Sequence, residues 1–234
     1  MASIKKRAKI ALNLKTFNND CNLPELVRKS INLNIPSEEV YILRMLIKKP
    51  FEKIKLPVSL GWVYPLIDAS VHHQGKMDIT QPFIYLTIRS NCRQSRNNDT
   101  WHVDGFSTSI THLPEQNYCW ANKYPTEFIA KRIKFPKEFN PLKHNIHSYI
   151  QKNISSEYEK ENLISTSPNS LYCFDPYVIH RRPNNIPEKE NRTFIRISFT
   201  PIEINDINNS FNPLIPTNYT RDGVKEFRNK LIDF

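Results

Sequence analysis

The sequence predicts a mainly β domain with flanking α-helices, and three observations carry that expectation. From about Leu56 onward, short runs rich in β-branched and aromatic residues recur, broken by Pro, Asn and Asp. Helix-like stretches are confined to the two ends and to one insertion. No repeat of about 20 to 50 residues and no low-complexity tract is visible, which removes solenoids and propellers.

Taken in order, a basic leader, Met1-Ala2-Ser3-Ile4-Lys5-Lys6-Arg7, precedes two segments with helical texture, residues 23–33 and 37–49. The second opens on a capping Ser37, carries Glu38 and Glu39 in its first turn and ends in Lys48-Lys49-Pro50. Strands are expected at residues 58–63, 83–88, 107–113, 117–121, 127–135, 171–174 and 192–202, a spacing that suits an antiparallel barrel or sandwich. Residues 142–152 and 156–162 read as a helical insertion, and residues 222–232 as a terminal helix. The expected organisation is one domain: a helical flank over 1–55, a core over 56–202 and an extension with a helix over 203–234.

The chain has 234 residues, 39% hydrophobic and 24% charged, so a packed core is feasible and wholesale disorder is excluded. No stretch approaches the roughly 20 apolar residues of a bilayer span, and the start lacks an apolar signal core. A soluble cytoplasmic protein without a membrane partner is the expectation. Cys21, Cys92, Cys119 and Cys173 are spread singly, with no C-x-x-C pair, and read as reduced thiols. Four glycines leave no room for a phosphate-binding G-x-G-x-x-G or Walker loop. The net charge of +10 fits either a solubilising surface or an anionic partner such as nucleic acid.

The chemistry concentrates in Trp101-His102-Val103-Asp104-Gly105, where an imidazole and a carboxylate two residues apart share one face of an extended segment. Further on, the apolar run Leu171-Tyr172-Cys173-Phe174 leads through Asp175 to His180. Two histidines and one carboxylate make a facial triad, which leaves three positions of an octahedral metal open. Beyond it, Arg192, Phe194 and Arg196 alternate onto one side of the next strand. A buried guanidinium there demands an anion, which points to a dicarboxylate co-substrate.

These residues resemble the Fe(II)/2-oxoglutarate-dependent dioxygenases, in which H-x-D/E, a distal His and an Arg some ten to fifteen residues later lie on a double-stranded β-helix, or jelly-roll, core. The match runs through His102, Asp104, His180 and Arg192, through the phrase Phe174-Asp175 to His180-Arg181-x-Pro183-Asn184, and through Arg192-x-x-x-Arg196-Ile197-Ser198-Phe199. The resemblance covers roughly residues 83–202. It implies that His102, Asp104 and His180 hold Fe(II), that Arg192 clamps the distal carboxylate of 2-oxoglutarate, and that O2 is the oxidant, with succinate and CO2 as products. Arg192, twelve residues past His180, suits the clamp better than Arg196 at sixteen. Arg196 either holds a substrate carboxylate or forms an R-x-S clamp with Ser198.

Tyr85 and Thr87 alternate on the strand before the H-x-D loop and either offer hydroxyls to the co-substrate or are ordinary strand residues. Trp101, Phe106, Tyr118, Trp120 and Asn122 either line a substrate pocket or belong to the core. His72, His73, His112, His144 and His147 have no carboxylate at ligand spacing and read as structural or surface residues. In the family, an aspartate at the position of Asp104 argues against halogenation, because halogenating relatives carry Ala or Gly there; hydroxylation is the default outcome the resemblance implies, with desaturation or ring chemistry as the alternatives. The substrate expected is a small amino-acid-like molecule or metabolite. A macromolecule, nucleic acid or a polypeptide side chain, and a non-enzymatic β-barrel binding module are the alternatives. No RNP-like, helix-turn-helix or zinc-finger signature accompanies the basic charge.

Overall fold

In the computed structural model the described residues are 23–75, 82–91, 100–104, 116–130, 136–139, 143–175, 178–184, 186–187, 190–201 and 203–219. The strand expected at 107–113, the helix expected at 222–232, Phe106 and His112 lie outside them. The protein is mainly β. Strands β1 (Glu25–Arg28), β2 (Val40–Lys48), β3 (Phe83–Ser90), β4 (Gln116–Ala121), β7 (Leu171–Phe174) and β9 (Phe194–Thr200) form one antiparallel sheet in the order β1-β7-β4-β9-β3-β2. Strands β5 (Glu127–Ile129), β6 (Leu163–Ile164) and β8 (His180–Arg181) form a second, in the order β6-β5-β8. Among the described residues, no helix is long and apolar enough to cross a membrane.

Several segments follow the expected pattern: β7 falls on 171–174, and α3 (Ser156–Asn162), capped by the Ser155 hydroxyl, falls on 156–162. Helix α2 (Ile146–Asn153) starts later than expected because Asn145 is its cap, accepting from the backbone of His147 and Ser148 at 3.1 and 3.3 Å.

The amino-terminal segments differ. Residues 23–33 and 37–49, expected as helices, contain strands β1 and β2. Val40, Tyr41, Ile42 and Ile47 favour an extended backbone, and β2 pairs with β3 along its length. The carbonyls of Pro36, Ser37 and Glu38, which would begin a helical ladder, accept from the Asn91 amide instead. Conversely, residues 58–63, expected as a strand, form a 3-10 turn that runs into α1 (Tyr64–Gln74). Leu60 donates back to the Pro57 carbonyl at 2.9 Å, and Pro65 presets the first helical turn. Leu60, Val63, Leu66 and Ile67 then recur at helical spacing on one buried face.

The large sheet has two unlike faces. On one, Ile195, Ile197 and Phe199 of β9 join Leu86 and Ile88 of β3 and the apolar side of α1 in the main core. On the other, Cys119 and Phe174 meet Phe128 and Val178 from the small sheet and its connection, so the two sheets face one another. Segment 203–216 folds over the same face further along, where Ile204 and Ile215 pack on Leu46 and Tyr85.

Candidate metal centre

Backbone pairing builds the site before any side chain acts. His102 and His180 form an antiparallel bridge, each donating its N–H to the other's carbonyl at 3.0 and 2.9 Å. β5 holds His180 from the other side, through Phe128. Two residues beyond His102 the alternation of extended chain returns Asp104 to the same side. Ligand atoms of His102, Asp104 and His180 lie within 4.8 Å of one another, so the three can hold one metal ion.

The donor set fits such an ion. His102 Nδ1 lies 2.8 Å from the carbonyl of Thr100, and His180 Nδ1 lies 2.8 Å from that of Val178. A carbonyl only accepts, so each Nδ1 carries the proton and each Nε2 keeps its lone pair, the tautomer that outer hydrogen bonds impose on metal-binding histidines. Nε2 of His180 then faces Oδ2 of Asp104 at 3.6 Å, lone pair toward carboxylate, an arrangement that a cation relieves. Phe174 and Phe128 wall His180 with ring centroids at 5.1 and 6.1 Å.

Charge states follow from burial and neighbours. Burial drives the His180 imidazole down to about 4, against the pull of Asp104, so it is neutral at pH 7. Burial alone would raise the Asp104 carboxyl. The Arg196 guanidinium, then His180, His102 and Arg44, outweigh it and hold Asp104 well below the usual carboxylate range. Cys119 and Cys173 are free, buried and pushed up to about 12, which makes them inert thiols.

Of the residues singled out in sequence, the structure brings His102, Asp104, His180 and Arg196 together: Arg196 Nη1 donates to Asp104 Oδ2. Arg192 lies just before β9; its Nε donates to the Tyr124 carbonyl at 2.7 Å and its guanidinium sits 5.1 Å from the Phe194 ring. Thr87 is opposite Arg196 in register and accepts from the backbone N–H of Arg44. Tyr85 is two residues along on the same face, but its hydroxyl accepts from Ile204 N–H at 2.7 Å. Tyr118 is on the far side of β4, in the main core, bonded to Gln74 and His73. Trp101 is buried under α2, its indole donating to Glu159 and covered by the Arg181 guanidinium at 4.1 Å. Asn122 ties β4 to β9 by accepting from Thr193 N–H.

Three contributors escape a reading of the sequence. Asn117 on β4 pairs with Ser198 on β9, which donates to its Oδ1 at 2.6 Å. Arg44 stands in β2 across Thr87 from Arg196. Arg181, beside His180, is buried and paired with Glu127 and Glu159, which links the small sheet to α3. Arg181 stood in the phrase around His180 without a role, and the Arg196-x-Ser198 spacing signalled a clamp rather than the partner Asn117. Comparisons with models of protein families, with curated proteins and with solved structures find no match in any of the three.

Proposed function

We propose that the protein is an Fe(II)- and 2-oxoglutarate-dependent dioxygenase on a double-stranded β-helix core, hydroxylating an unactivated carbon of a small substrate. The observation that carries this reading is the pair of histidines locked with Nε2 inward beside an ionised Asp104, with Arg196 on the neighbouring strand. Two histidines and one carboxylate suit non-haem Fe(II) and leave coordination positions for a chelating co-substrate and O2. When bound, the metal with 2-oxoglutarate and O2 supplies the chemistry that converts C–H to C–OH and releases succinate and CO2.

The chain's own part is binding and orientation. We assign the co-substrate's distal carboxylate to Arg196, with Ser198 and Asn117, rather than to Arg192, whose Nε is committed to Tyr124. Arg196 Nε and Asn117 Nδ2 are buried donors without an acceptor. Each costs about 1 to 3 kcal/mol in that state, so an acceptor belongs between them. Phe174 and Phe128 exclude water from the His180 side.

The test is succinate formation from 2-oxoglutarate by purified protein with and without Fe(II). Iron-dependent succinate that disappears in Asp104→Ala supports the proposal. Absence of succinate under all conditions in folded protein overturns it in favour of a binding module.

A further inference from the structure

The bridge between His102 and His180 is a single antiparallel pair held by two backbone hydrogen bonds. So short a pairing fixes its register weakly unless side chains secure it. One step out along the two chains, Trp101 comes opposite Arg181 and, by alternation, on the reverse side from the imidazoles. The Arg181 guanidinium lies 4.1 Å from the centre of the Trp101 ring, a cation–π contact between two buried residues. Trp101, Val103 and Ile179 share that reverse side with Ile146 and Ile150 of α2.

One carboxylate ties both members of the pair together. Glu159 of α3 accepts from Arg181 Nη1 and Nη2 at 3.1 and 2.5 Å and from the Trp101 indole at 3.2 Å. Arg181 Nε donates to Glu127 of β5 at 2.6 Å, which fixes the guanidinium from another side. From α2, the Gln151 side chain accepts from the backbone N–H of Trp101 at 2.9 Å. Helix α3 has no fully buried side chain, although Tyr158 leans on the cluster under α2. Its hold on the sheets is chiefly polar: Glu159 near its middle, and the Asn162 carbonyl at its end, which accepts from Ala130 N–H at 2.8 Å. The neighbours of both metal-site histidines are thus gripped from behind by one insertion, residues 146–162.

Resting on the reading of His102, Asp104 and His180 as a metal centre, we propose that Arg181 and Glu159 are its positioning residues, and that the α2–α3 insertion is a clip whose docking and metal binding depend on each other. The clip holds the register of the bridge, and that register keeps the ligand atoms within reach of one ion. Coupling of this kind is reciprocal: a docked clip tightens the metal, and a bound metal holds the clip by the same factor.

The test uses Co(II) alone, without 2-oxoglutarate, and reads affinity by titration and backbone hydrogen exchange over residues 156–162. Glu159→Ala should weaken Co(II) binding at least about tenfold, the scale on which outer partners of metal ligands act. Glu159→Gln keeps an acceptor for the indole but loses the paired charge, and Arg181→Lys keeps the charge but loses the planar fork, so each should fall between the parent and Glu159→Ala. In the parent, Co(II) should slow exchange over 156–162 by a factor similar to that change in affinity, and the slowing should vanish in Glu159→Ala. Ile197→Ala, in the main core, controls for lost stability and should bind Co(II) as the parent does. Unchanged affinity in folded Glu159→Ala, exchange over 156–162 indifferent to Co(II), or an equal loss of affinity in Ile197→Ala would each overturn the inference. Should Glu159→Ala fail to fold, Glu159→Gln and exchange in the parent decide it in the same way. No Co(II) binding by the parent is the failure of the metal-centre reading and removes this inference with it. Intact Co(II) binding without succinate formation is the failure of the dioxygenase reading alone.

Discussion

On one face of the six-stranded sheet, Ile195, Ile197 and Phe199 of β9 pack with Leu86 and Ile88 of β3 and with Leu66 and Ile67 of α1. On the other, Arg196 and Ser198 of the same strand stand beside Asn117, Thr87 and Asp104. The apolar face draws its polar atoms inward: Trp120 Nε1 donates to the Ile31 carbonyl, and Tyr118 bonds to Gln74 and His73. Trp62 Nε1 and Gln74 Nε2 on that side are nonetheless buried without an acceptor, as Arg196 Nε and Asn117 Nδ2 are on the polar face, where Arg44 also has a left-handed backbone. Because strand side chains alternate, one stretch of seven residues builds both environments. The difference separates a face that packs the core from a face that gathers charge around the candidate metal site.

The largest effect is expected at the triad. Replacing Asp104 or His180 with Ala should lower affinity for a divalent ion by at least about a hundredfold, read by titration with Co(II), since even the outer partners of metal ligands commonly matter that much. Unchanged affinity in Asp104→Ala would place the metal elsewhere.

Adjacent residues of β9 should then fail in opposite ways. Ile197→Ala, in the main core, should cost about 3 kcal/mol in denaturant unfolding, and a saturating divalent ion should stabilise it as much as the parent. Arg196→Met leaves Asp104 buried without its main counter-charge and should cost a similar amount without metal, on the order of 3 kcal/mol. Its stabilisation by metal should exceed the parent's, because the ion supplies the missing positive charge. Equal increments would mean that the two faces do not differ in this way.

The smallest effect is a pH dependence. His180 titrates near 6.5 when unfolded and at about 4 when folded. Between those values the unfolded chain binds a proton that the folded one does not, so stability is full above about pH 6.5 and falls as pH drops toward 4. The loss from this residue amounts to about 3 kcal/mol at most. Asp104, also depressed, adds a loss only at more acid pH, as pH falls below its unfolded value of 3.8. His180→Gln should flatten the upper part of the profile.

The triad was legible in sequence because its logic is local: H-x-D fixes a shared face, and an apolar strand delivers the second histidine. Which of Arg192 and Arg196 stands beside the triad was not, because counting from His180 ignores where β9 begins; with the strand starting at Phe194, alternation turns Arg196 toward Asp104 and leaves Arg192 before the strand. Strands β1 and β2 were misread for a related reason. Ser37 and Lys48-Lys49-Pro50 are genuine helix signals within ten or so residues, whereas the pairing of β2 with β3 is decided by partners some forty residues away. Arg44 was not singled out because its place beside Thr87 depends on a bulge held by Thr87 and Ser210, neither of which is near it in sequence.

The most direct measurement is anaerobic absorption spectroscopy of the protein with Fe(II) and 2-oxoglutarate. A visible charge-transfer band that persists in Arg192→Ala, weakens in Arg196→Ala and vanishes in His102→Ala is the predicted result. No band in folded protein, or a band lost in Arg192→Ala and kept in Arg196→Ala, would contradict the assignment of the polar face.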